Sequence, residues 1–171
     1  MRKLAFYDVN IEYINYLKKF EPKIPNISYE NNDKFVCGVV MEFGDIHYFA
    51  PISSFKKQQR TNILIEDRNG KILSSIRFSF MFPIPQSQYW IKDFKMEERK
   101  YRFLLQNELK FCNKNIEIIR NKAMYVYKRR ISGHDEVINN SCCNFKLLEE
   151  KCLEFELQRE NNSEYEDWEL E

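Results

Sequence analysis

The sequence predicts an α+β fold, an antiparallel sheet followed by a helical half. Two observations carry this. Between about residues 35 and 85 apolar runs are joined by Gly44-Asp45 and Asn69-Gly70, dipeptides that close tight turns between antiparallel strands. From about Glu97 the spacing of apolar residues lengthens to that of a helix. A chain of 171 residues can bury one substantial core, and it shows neither an internal repeat nor a low-complexity linker. One domain is expected over 1–171, with an acidic tail that frays from about 158.

The elements follow in order. "DVNIEYINYLKKF" reads as a helix capped by Asp8 or Asn10, with Ile11, Ile14 and Leu17 or Lys18 on one face and Tyr13, Tyr16 and Phe20 on the other. The two prolines of "EPKIPN" stop it, and "ISYENNDK" is a polar loop. "FVCGVVMEF" and "IHYFAPI" form a first hairpin and "NILIEDRNGKILSSI" a second. "RFSFMFPIP" puts Phe78, Phe80, Phe82 and Ile84 on one face by strict alternation, which makes about five strands. Tyr101, Leu104, Leu105 and Glu108 or Leu109, then Ile116, Ile119, Ala123 and Tyr127, mark two helices broken near "CNKN". After a loop "ISGHDEVINNSCC", Asn144 caps a last helix striped by Phe145, Leu148, Cys152 and Phe155.

Composition narrows the function. The net charge of +1 hides a division: Glu149 to Glu171 carry ten acids and two bases, a net of −8, which leaves +9 on the rest. A basic body attracts phosphates, while the acidic end is either solvated or a competitor for a basic groove. The five cysteines include no C-x-x-C pair, and only two histidines are present, so no zinc site is expected. Cys142 and Cys143 read as buried thiols in preference to a redox pair. No apolar run approaches the ~18 residues of a membrane span, and the start lacks the apolar stretch of a signal peptide. The expectation is a soluble, cytoplasmic protein with no membrane partner.

Four single glycines make no phosphate loop, and His47 and His134 are read as surface residues. What remains is "FAPISSFKKQQR", residues 49–60, where an apolar strand breaks into Ser53 and Ser54 and leaves through Lys56, Lys57 and Arg60. Hydroxyls followed by three cations at a strand end suit an anion, although a solvated turn has the same composition. If the anion is an RNA phosphodiester, the 2′-hydroxyl is the nucleophile. The protein then has to hold the phosphate in line and help move protons, work that Ser, Lys and Tyr can do.

The blocks "YINYLKKFEPKIPN", "FVCGVVMEFGDIHYFAPISSFKK", "FMFPIP" and "CNFKLLEEKCLEF" resemble, in order and spacing, the ToxN/AbiQ family of type III toxin–antitoxin toxins. The resemblance implies a strongly twisted antiparallel sheet, nearly a barrel, flanked by helices and similar to the Kid and MazF toxins. It implies a metal-independent endoribonuclease without cofactor that cuts mRNA to 2′,3′-cyclic phosphate and 5′-hydroxyl ends and acts in phage abortive infection. The implied partner is an antitoxin RNA of tandem repeats, each a pseudoknot, which the toxin processes and which joins toxin copies into a homo-oligomeric assembly.

Carried across residue by residue, the resemblance places the key serine at Ser54, with Ser53, Lys56, Tyr13, Tyr29 and Lys34 beside it as catalytic residues. Lys18, Lys57, Arg60 and Arg77 are expected to contact RNA. Phe55 stands where the family's proline is usual, which leaves the shape of that turn open. The competing readings are a non-catalytic RNA-binding protein that sequesters a structured transcript and a protein-interaction domain using "RFSFMF".

Overall fold

The computed structural model describes residues 3–26 and 35–168, with side chains throughout except those of Val39 and 160–168. Tyr29 and Lys34 lie outside the described residues.

The sheet begins with a strand that the periodicity did not disclose, β1 (Ala5–Val9). It runs straight into helix α1 (Ile11–Lys18), where the Asn10 side chain accepts the Glu12 N–H at 3.0 Å and so caps the first turn. The buried face of α1 is Tyr13, Ile14 and Leu17, whereas Ile11 is exposed. The apolar stripe is therefore rotated from the expected one.

The two hairpins form as expected. Strands β2 (Val36–Phe43) and β3 (Ile46–Ser53) turn at Gly44, and β4 (Asn62–Glu66) and β5 (Ile72–Arg77) turn at Gly70. Both glycines have positive φ, 57° and 77°, the region where a side chain is strained. The register of β2 against β3 slips between Cys37 and Met41, and an irregularity of this kind adds local twist. Gly38 lies in that stretch, and a Cβ there would meet the Phe49 ring at 2.1 Å.

The expected strand through "RFSFMF" is mostly absent. Phe78–Phe80 form a 3-10 turn, and only Phe82–Pro83 pair as β6. The turn still buries Phe78, and Phe82 and Ile84 follow it into the core. Another strand missed by periodicity, β7 (Tyr89–Ile91), pairs with β1 through Tyr7↔Ile91 and Val9↔Tyr89.

The helical half is α2 (Arg99–Lys114), α3 (Ile116–Ser132), α4 (Glu136–Ser141) and α5 (Phe145–Trp168). The break between α2 and α3 falls at Asn115, inside "CNKN". The stretch read as a loop holds the short α4, whose first turn is capped by Asp135 accepting from the Ile138 N–H. Asn144 accepts from the Leu147 N–H at 3.3 Å to start α5, and its stripe buries Phe145, Leu148 and Cys152.

The strand order is β4-β5-β3-β2-β1-β7, all antiparallel, with β6 added to β3. Strand β3 is the pivot. Its first half pairs with β6 through Tyr48↔Pro83 and Phe49↔Phe82, and its end pairs with β5 through Ile52↔Ile76 and Ser53↔Ser75. The outer strands β4 and β7 do not pair with each other, so the sheet is open and not a closed barrel. Helix α3 packs on β2, α5 on β6, and α2 on β4 and β5.

A polar contact locks this packing: the Tyr48 and Tyr127 hydroxyls both donate to Glu149 Oε1, at 2.9 and 2.6 Å, tying β3, α3 and α5. Burial alone would raise the Glu149 pKa, but hydrogen bonds from Lys146, Tyr127 and Tyr48 outweigh it and hold the carboxyl below its ordinary value. All five cysteines are free and buried. Burial raises the Cys142 and Cys143 thiols, which disfavours the reactive thiolate.

Candidate active site

The chain leaves the sheet at Ser54, one residue after the Ser53↔Ser75 pair, and Ser54 is exposed there. Two hydroxyls shape the departure. Ser53 Oγ accepts the Phe55 N–H at 3.2 Å, and Ser75 Oγ donates to the Phe55 carbonyl at 2.7 Å. Beyond it the loop is built on Asn62, which is fully buried at the start of β4. Its Oδ1 accepts the Gln59 N–H at 2.8 Å, and its Nδ2 donates to the Lys57 carbonyl at 2.9 Å. A segment that reads as an irregular polar loop is thus fastened by side chains to backbone groups that no sheet partner satisfies.

Lys56 and Lys57 are exposed on this fastened loop, with no ion-pair partner among the described residues. Ser53, Ser54, Lys56 and Lys57 therefore come together as the sequence suggests, as hydroxyls and unmatched cations at one strand end. Such a surface offers hydrogen bonds and positive charge to a phosphate.

Other expected site residues are placed differently. Tyr13 is wholly buried, its hydroxyl donates to the Pro83 carbonyl at 2.9 Å, and burial raises its pKa well above the ordinary tyrosine value. It is a core residue in this structure, because the helix face that carries it turns inward. Lys18 donates to Asn26 Oδ1 and is half-buried.

Arg60 pairs with Asp135 at 2.6 Å and donates to the Tyr125 hydroxyl at 3.3 Å, so a phosphate would have to compete for it. Asp135 meanwhile caps α4, which anchors the far end of the loop to the helical half. The hydrogen bond from Arg60 lowers the Asp135 pKa and, at the other oxygen, that of Tyr125. Arg77 lies over the Phe55 ring at 4.3 Å and the Phe80 ring at 4.9 Å, and its Nη2 donates to Gln59 Oε1 at 3.2 Å. Its guanidinium is occupied by the loop itself.

Asn62, Ser75, Tyr125 and Asp135 were missed by sequence reasoning. The first two carried a faint signal, as polar residues inside runs that read as buried strand. Among the described residues no three of His, Cys, Asp and Glu stand together as metal ligands would.

The family model for Toxin ToxN of type III toxin–antitoxin systems matches residues 5–153. The chain belongs to this family. It is 34% identical over 161 residues to endoribonuclease AbiQ of Lactococcus lactis subsp. lactis, covering 86% of this chain and 87% of that one. To endoribonuclease ToxN of Pectobacterium atrosepticum it is 30% identical over 174 residues, covering 94% and 99%.

The solved structure of AbiQ, a lactococcal anti-phage endoribonuclease of the type III system, superposes with a TM-score of 0.82 at 29% identity, covering 91% of this chain and 99% of AbiQ. A type III toxin selectively inhibited by a non-coding RNA pseudoknot shares the fold with a TM-score of 0.84 at 23% identity, covering 91% and 99%. The sheet-plus-helices architecture is thus shared with solved structures of the family.

Proposed function

We propose that this protein is an endoribonuclease toxin that cleaves RNA by transesterification at Ser54. The observation that carries the reading is the exposed Ser54 on a loop fastened at Phe55, Lys57 and Gln59, with Lys56 and Lys57 unmatched beside it. In this reading the ribose 2′-oxygen attacks phosphorus and the bond to the 5′-oxygen breaks. The products are a 2′,3′-cyclic phosphate and a 5′-hydroxyl, the proton lost by one oxygen being matched by the proton gained by the other. The reaction needs no metal to make a nucleophile, because RNA carries it. Ser54 hydrogen-bonds a phosphate oxygen, Lys56 offsets the charge that builds on the phosphorane, and Lys57 holds a neighbouring phosphate. Ser53 shapes the turn. Lys34 and Tyr29 complete the site by the family resemblance.

The same surface would take mRNA as substrate and a structured repeat RNA as inhibitor, in the cytoplasm, with the RNA joining toxin copies into an assembly. The relative AbiQ, an anti-phage endoribonuclease, supports that role.

RNA-free wild type and Ser54→Ala, each incubated in EDTA with mixed-sequence RNA, test it. Cyclic-phosphate ends from wild type, with a loss of about 10²–10³-fold in Ser54→Ala, are expected from removal of one transition-state donor. Intact RNA in both samples with tight binding retained would sink the enzyme reading and leave a sequestering module.

A further inference from the structure

Phe55 follows Ser54 directly, and the contacts that could set the direction of the turn converge on it. Its N–H and its carbonyl are both taken, by Ser53 and Ser75. Its ring lies 4.3 Å from the Arg77 guanidinium, which also lies 4.9 Å from the Phe80 ring and reaches Gln59 in the same loop. Among the described residues, Arg77 Nε is buried without a hydrogen-bond partner. An arginine that leaves a buried N–H unsatisfied is held there by packing against the two rings, an arrangement that suits the planar guanidinium and not a lysine.

Arg77 is the last residue of β5 and Phe80 closes the 3-10 turn that follows. The stack therefore ties the departing loop to the sheet beside Asn62, the residue that pairs with Arg77 across β4 and β5. In-line attack is sensitive to such a tie, since a displacement of about 1 Å can cost ~10²-fold in rate.

We propose that Arg77, stacked on Phe55 and Phe80, is a positioning residue that sets the angle of the Ser54 turn and thereby the rate of RNA cleavage. This rests on the reading that Ser54 belongs to the active site. It departs from the expectation that Arg77 contacts RNA, and the two assignments separate in kinetics. A positioning residue acts on kcat, whereas a phosphate contact acts on KM.

The test is a double-mutant cycle of Arg77→Met and Phe55→Leu, with Ser54→Ala as reference. Each single variant is expected to lower kcat about 10-fold or more with KM held within about twofold. The double variant is expected to be no slower than the slower single, because both changes remove one contact. Losses that multiply, a raised KM at unchanged kcat, or wild-type kcat in both singles would each overturn the proposal.

Amide hydrogen exchange at position 55 and at Gln59, whose N–H groups donate to Ser53 Oγ and Asn62 Oδ1, gives a readout independent of activity. Exchange is expected to quicken in Arg77→Met and Phe55→Leu but not in Ser54→Ala, and unchanged exchange in the first two would overturn the proposal. If Ser54→Ala cleaves like wild type, the active-site reading fails, while exchange still decides whether Arg77 orders the turn. Should Arg77→Met not fold, Arg77→Lys keeps the charge and loses the planar face. Wild-type kcat in that variant would also refute the proposal.

Discussion

Tyr13 illustrates how residue identity and residue placement separate. A tyrosine in a family block invites a role in proton transfer, yet its hydroxyl is given to Pro83 and its ring packs edge-on to Phe155 at 5.0 Å. Tyr13→Phe is therefore expected to cost about 1 kcal/mol of stability, the worth of one buried hydrogen bond, and to leave kcat at the wild-type value. Denaturant melts and cleavage rates on the same preparation check both halves, and a collapse of kcat in a well-folded variant would restore a catalytic role. Ser53 and Ser54 are legible in the sequence because the signal is local, two hydroxyls and three cations within eight residues of one strand end. The engagement of Arg60 and Arg77 is not. Arg60 meets Asp135 from 75 residues away, and Arg77 meets Phe55 only because β5 pairs with β3. Charge can be counted in a sequence, but whether a charge is spoken for is decided by tertiary neighbours.

At the level of elements, the two hairpins and the helical half follow from turn dipeptides and periodicity. The remainder depends on partners. The three residues of β7 carry no pattern, with Trp90 and Ile91 exposed, and are a strand because β1 offers them a free edge. The alternation in "RFSFMF" is real, but a 3-10 turn satisfies it for Phe78 as well as a strand would. Helix α2 holds a further consequence of packing: Glu108 is 3% exposed, with Ser74 Oγ donating to it at 2.5 Å. Burial raises its pKa, the Ser74 hydrogen bond working the other way. A raised folded pKa gives stability that is complete below the unfolded pKa and is lost as pH rises through the folded one. Glu108→Gln keeps an acceptor for Ser74 and never ionises. Its melting temperature is expected to exceed that of wild type by a margin that widens as pH rises above the ordinary carboxyl range. A margin independent of pH would show that Glu108 does not ionise with a cost.

For the whole molecule, the structure turns a sum of charges into a surface. The sequence divides +9 from −8, and the structure shows which of the positive charges are unmatched. Arg60, Lys92, Lys146 and Lys151 are in ion pairs. Lys56 and Lys57 are not, nor among the described residues are the five bases of α2, whose one acid, Glu108, points inward. Unmatched cations are the ones that release counterions when a polyanion binds, so they set the salt dependence of RNA affinity. Each phosphate neutralised on a single strand contributes a slope of about −0.7 in log K against log salt. In a Ser54→Ala background, Lys56→Ala with Lys57→Ala is expected to make that slope shallower by about 1.4 if each lysine neutralises one phosphate. Arg60→Ala is expected to leave the slope nearly unchanged, because its charge is already answered by Asp135. Equilibrium titrations of one RNA at several salt concentrations measure both. A slope that falls for Arg60 and holds for the two lysines would mean that RNA enters over the α3–α4 corner and not at the end of β3.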